Sequence, residues 1–148
     1  FVPAGTYYLS RPLAFNDQNF YGEGESVTFI VSTLSDAEKP IMYIGGSTTV
    51  SALNISYDSS LITGEEKRNE RVAISCGAAV GYGPGGGVRD VAFENVGTAI
   101  RSDNTDGFGI DNCVFERINV KNVSFCGFDF TVSAGYGNIF SRIKTYNF

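Results

Sequence analysis

Three carboxylates stand close together in one short stretch, Asp103, Asp106 and Asp111. Cleaving a glycosidic bond takes two carboxyl groups roughly 5 to 9.5 Å apart, one acting as acid and the other as base or nucleophile. Asp106, Asp111 and Asp103 are therefore the candidate catalytic residues. The same oxygen-rich cluster would suit calcium, with Arg101 or Arg117 near a proton to be removed, which is the chemistry of a lyase. A third reading is an Asp-rich turn held by its own side-chain to backbone bonds. Further along, Arg142, Lys144 and Tyr146, joined by Lys121 and Arg117, offer cations for a carboxylated ligand and an aromatic face for a sugar ring. Histidine is absent, which removes histidine-based triads and histidine-ligated metals. Cys76, Cys113 and Cys126 form an odd set without a Cys-x-x-Cys spacing, so no zinc site is read and the thiols are expected to be buried and unpaired.

These side chains need a scaffold, and the sequence repeats one. Val88-Arg89-Asp90-Val91-Ala92-Phe93-Glu94-Asn95, Phe115-Glu116-Arg117-Ile118-Asn119-Val120-Lys121-Asn122 and Phe140-Ser141-Arg142-Ile143-Lys144-Thr145-Tyr146-Asn147 share one pattern, each closed by asparagine. Asn95 to Asn122 is 27 residues and Asn122 to Asn147 is 25. A strand-like alternation recurring at that period is the signature of a solenoid in which one repeat is one coil. Val50 to Tyr57 fits the same pattern, with Val50 and Leu53 in the places of Val88 and Val91. Its larger offset places extra residues in the charged stretch from Ser59 to Glu70, a loop leaving the stack.

Alternation then sorts the side chains. Val91 and Phe93, Ile118 and Val120, and Ile143 and Thr145 are expected inside. The outward residues form three rows: Asp90, Arg117, Arg142; Ala92, Asn119, Lys144; and Glu94, Lys121, Tyr146. Asp90 with Arg117 and Glu94 with Lys121 would pair on neighbouring strands. Asn95, Asn122 and Asn147 would turn the chain through a left-handed backbone and bond coil to coil. Asp111 is expected to point outward from a strand spanning Phe108 to Asn112, with Asp103 and Asp106 in the turn before it.

The 148 residues suit one domain, and 43% hydrophobic residues with 18 glycines favour a core built of strands and tight turns. A net charge of −5 without a cluster of basic and aromatic residues argues against nucleic acid as the ligand. No apolar run reaches the roughly 18 residues of a membrane span. The glycines from Gly81 to Gly87 lack the Gly-Lys-Ser/Thr ending of a phosphate loop and read as a flexible turn. Asn54-Ile55-Ser56 and Asn122-Val123-Ser124 are glycosylation sequons. The chain opens and closes inside strand-like segments, as a segment of a longer protein would.

Val2-Pro3-Ala4-Gly5-Thr6-Tyr7-Tyr8-Leu9 followed by Phe20-Tyr21-Gly22-Glu23-Gly24 resembles the early coils of the pectin-lyase-like right-handed β-helix superfamily. Asn104-Thr105-Asp106-Gly107 and Arg142-Ile143-Lys144 are similar, more narrowly, to motifs of polygalacturonases, although the Asp-Asp pair and Gly-His-Gly of that family are missing. The resemblance implies an all-β, single-stranded right-handed parallel β-helix of about five to six coils. It implies a secreted, carbohydrate-active protein, foremost a glycoside hydrolase acting on an acidic polysaccharide. Asp106 would be a catalytic carboxylate, and Arg142 and Lys144 would bind substrate carboxylates. No cofactor is expected, except calcium if the chain is a lyase. The alternatives are a polysaccharide lyase of the same fold and a non-catalytic tailspike or adhesin module that binds glycan, which as a tailspike would form a homotrimer.

Overall fold

A computed structural model of the chain describes residues 1–35, 39–58, 60, 70–77, 86–102, 110–130 and 137–146. Among these residues there are twelve strands: β1 Gly5–Leu9, β2 Leu13–Asn16, β3 Asn19–Tyr21, β4 Thr28–Ser32, β5 Met42–Gly45, β6 Thr49–Tyr57, β7 Val72–Cys76, β8 Gly87–Glu94, β9 Thr98–Ser102, β10 Val114–Lys121, β11 Cys126–Asp129 and β12 Ile139–Tyr146. Among the described residues there is no α-helix. The chain is a parallel β-solenoid. One sheet runs β1-β4-β6-β8-β10-β12, with β3 beside β6, and the other runs β11-β9-β7-β5-β2. Every strand pairing is parallel, so successive strands in a sheet belong to successive coils.

The core is a stack of like residues. Val50, Val88 and Phe115 align in register, as do Leu53, Val91 and Ile118, and Ile55, Phe93 and Val120, and all nine are buried. Met42, Ile74, Ile100 and Phe128 form the facing column of the second sheet. Phe115, Phe128, Phe130 and Phe140 cluster at the later coils, with Phe115 and Phe140 stacked at 4.9 Å between ring centroids. Of the side chains expected inside, Ile143 is half-buried and Thr145 exposed, because β12 is the last rung of its sheet.

Inward positions at Val50 and Leu53, Val88 and Val91, and Phe115 and Ile118 lie three apart, which simple alternation cannot supply. A left-handed residue between them supplies the phase shift. Ala52, Asp90, Arg117 and Arg142 all have φ between 52° and 58°. Each falls out of the ladder, since Ser51 pairs with Arg89 and Leu53 with Val91 while the residues between pair with nothing. The long strands are thus bent at one residue per coil, and these residues stack as an outer corner.

Asn95 and Asn122 mark the next corner at φ 56° and 54°, and the Asn122 amide donates to Asn95 Oδ1 at 3.3 Å. This is the expected asparagine ladder; Asn147 lies outside the described residues. The reading of Gly81 to Gly87 as a flexible turn is corrected at its end. Gly86 and Gly87 are buried, Gly87 begins β8, and a side chain on Gly86 would collide with the Thr48 carbonyl. Close backbone packing requires these two glycines. Most of the charged stretch from Ser59 to Glu70 lies outside the described residues.

Candidate functional site

The bent sheet carries its chemistry on its outer face, where the expected rows form. Register places Ala92, Asn119 and Lys144 side by side, and Glu94, Lys121 and Tyr146 in the row beyond. The corner row of Asp90, Arg117 and Arg142 runs parallel to them. Arg117 grips Asp90 at two points, through Nε to Oδ1 and through Nη2 to Oδ2 at 2.8 Å, and its Nη1 reaches Glu116. The hydrogen bonds from Arg117 hold the Asp90 carboxyl below the usual aspartate range, outweighing the opposite pull of partial burial. The same contact raises the Arg117 guanidinium further. Lys121 Nζ meets Glu94 Oε1 at 2.9 Å. Both expected cross-strand ion pairs are therefore present.

A feature of the second coil turns this face into a groove. Later coils take the corner with a single left-handed residue, whereas between β3 and β4 the chain spends Gly22 to Val27 on it. Gly22 sits where a Cβ would meet the Ala52 carbonyl at 2.5 Å, so the loop leaves the stack hard against the next coil. The loop closes on itself through Val27 and Thr28 amides donating to the Gly24 carbonyl. From this arch Glu25 reaches a residue 94 positions away, accepting from Asn119 Nδ2 at 3.0 and 2.9 Å through its two carboxylate oxygens. The small Ala92 precedes Asn119 in the same row.

Arch and corner together line a cavity of about 550 Å³, bounded by Gly24, Glu25, Ser26, Ala52, Asp90, Arg117, Asn119, Arg142 and Lys144. Its charged lining is three cations and two carboxylates. Asp90 and Arg117 neutralise each other, while Arg142 and Lys144 are exposed on β12 and form no ion pair among the described residues. That leaves two cations facing open space.

The expected site residues divide accordingly. Arg117, Arg142 and Lys144 meet in the groove. Lys121 and Tyr146 lie on the same face one row further out, with Tyr146 49% exposed. Asp111 does not line the groove. It sits in the turn before β10, where Asn138 braces the chain by accepting from the Cys113 amide at 2.9 Å and donating to the Ile110 carbonyl. The expected strand from Phe108 to Asn112 is not formed over residues 110–112, and Asn112 takes a left-handed φ of 52° that breaks the extended run. Asp103 and Asp106 lie outside the described residues. Among the described residues no three acidic or cysteine side chains converge to hold a metal ion. Cys76 and Cys113 are buried as expected, Cys126 is half-buried, and among the described residues no disulfide joins them.

Sequence reasoning missed Glu25, whose role depends on a contact that no local pattern encodes. The available signal was the pair Gly22 and Gly24 flanking extra residues at a corner. It also missed Tyr8, 67% exposed and in register through Val31, Ser56, Glu94 and Lys121 with Tyr146. These tyrosines end one row, five strand spacings or roughly 24 Å apart. The sequon at Asn54 is closed to modification, since Asn54 is buried inside β6. No protein-family model, curated protein or solved structure matches this chain.

Proposed function

We propose that this face binds an acidic polysaccharide, and that the chain is the glycan-recognising segment of a secreted carbohydrate-active protein. The observation that carries the reading is the pair of cations Arg142 and Lys144, without acidic partners among the described residues, at a groove floored by hydrogen-bonding side chains. Planar guanidinium and ammonium groups bind carboxylates well. Asn119 and Asp90 offer donors and acceptors for hydroxyl groups, and Tyr146 and Tyr8 offer flat apolar faces to sugar rings on the same side of the sheet.

The reaction we favour is glycoside hydrolysis by paired carboxylates, with Asp106 and Asp103 as candidates and Asp111 beyond the groove. A non-catalytic module of tailspike or adhesin type is the second reading. It is favoured by the engagement of both groove carboxylates, Asp90 by Arg117 and Glu25 by Asn119. The test is the affinity of the chain for galacturonate oligomers against neutral galactose oligomers of equal length, by calorimetry. Preference for the acidic series, weakened about tenfold or more by Arg142→Ala or Lys144→Ala, is expected from the loss of a charge-assisted contact. Equal affinity for both series would overturn the reading. Incubation with acidic polymer then separates the chemistries: new reducing ends alone mean hydrolysis, an ultraviolet-absorbing unsaturated product means a lyase, and binding without product means the module.

A further inference from the structure

We infer that Glu25 is an internal competitor for the ligand's carboxylate, and that the arch from Gly22 to Val27 is a latch that an acidic glycan displaces. This inference rests on the reading of the groove as an acidic-glycan site. It starts from a mismatch: the four successive coils of β6, β8, β10 and β12 turn the corner with one residue, whereas the coil of β3 and β4 before them builds an arch over it. The arch is rooted firmly. Gly22 donates to the Ser51 carbonyl, Thr28 to the Gly24 carbonyl, and Glu23 to the Thr28 hydroxyl. Its tip, by contrast, is tied to the outer face through Glu25 and Asn119, and no other hydrogen bond among the described residues joins 23–26 to β8 or β10.

Glu25 places a carboxylate inside a groove whose remaining charged groups, three cations and Asp90, are net cationic. Asn119, its partner, is in register with Lys144, so the docked carboxylate lies one strand spacing from the base of that cation. The side chain thus carries the functional group expected of the ligand and occupies a donor the ligand would use. Removing it changes the lining from three cations and two carboxylates to three and one. An incoming sugar carboxylate then meets less repulsion and gains the Asn119 amide. A neutral sugar lacks the charge to compete, so the latch sharpens selection for acidic chains: linkage requires that whatever displaces Glu25 be held better than Glu25 itself.

The test compares wild type, Glu25→Gln and Glu25→Ala for binding of a galacturonate hexamer and a galactose hexamer by calorimetry, with the melting temperature as control. The latch predicts that both variants bind the acidic hexamer more tightly, by roughly fivefold or more, with unchanged melting temperature and no equal gain for the neutral hexamer. Acidic binding by Glu25→Ala where wild type shows none would support it most strongly. Unchanged affinity would make Glu25 a structural tie, and weaker binding would make it a ligand contact; either overturns the latch while leaving the groove intact. If Arg142→Ala fails to weaken acidic binding, or no variant binds, the groove reading itself falls and takes the latch with it.

Discussion

The bend at one left-handed residue per coil makes a prediction with an unusual sign. Ala52 occupies that corner at φ 58°, half-buried, with no side-chain group to lose. A non-glycine residue pays about 1 to 2 kcal/mol in this conformation. Glycine removes that cost but gives the unfolded chain more freedom, which takes back about 0.4 to 1 kcal/mol. Ala52→Gly should therefore leave the fold as stable or stabilise it by up to about 1.5 kcal/mol. Ala92→Gly is the matched control: Ala92 also faces outward on the bent sheet but has no positive φ, so glycine there should cost about 0.5 to 1 kcal/mol, as in any strand. Denaturant unfolding monitored by far-ultraviolet circular dichroism gives both values. Equal destabilisation by the two substitutions would refute a strained corner. Ala52→Val completes the set, since a β-branched side chain suits this region least and should destabilise.

The core, the register and both ion pairs were legible because they follow from one rule, period-2 alternation repeated at coil length. Val88, Val91 and Phe93 already broke strict alternation, and the same break recurs at Phe115, Ile118 and Val120. That repeated phase shift is the written trace of the left-handed corner, though residue types as different as Ala52, Asp90, Arg117 and Arg142 hide it. The groove was half legible. Arg117, Arg142 and Lys144 follow from the rows, but the arch that encloses them depends on Glu25 meeting Asn119, a contact between coils that sequence spacing does not specify. The strand expected around Asp111 fails for a local reason: Asn112 turns left-handed and interrupts the extended run.

Other consequences are independent of ligand. Ile118→Ala empties a buried position between Val91 and Ile143 and should cost about 2 to 5 kcal/mol in denaturant unfolding. Asn122→Ala should cost roughly 1 to 2 kcal/mol by combining a left-handed penalty with loss of the Asn95 bond, and Asn122→Gly should recover most of it. The Asp90 carboxyl is depressed in the folded state, so its contribution is fully present above the unfolded value of about 3.8 and is lost as pH falls through the lower folded value. Stability measured from pH 5 downward should fall less steeply for Asp90→Asn than for wild type; superimposable profiles would show that the pair with Arg117 does not contribute.

An acidic glycan held on the outer face at the bend would perturb that face and leave the second sheet alone. Titrating the isotope-labelled chain with galacturonate oligomers and following backbone amide shifts tests it residue by residue. Saturable shifts are expected at Asp90, Arg117, Asn119, Arg142 and Lys144 and at Gly24 to Ser26, with the strands of the second sheet, Met42 to Gly45 and Val72 to Cys76, unmoved. Shifts confined to the second sheet, or none at saturating oligomer, would contradict it.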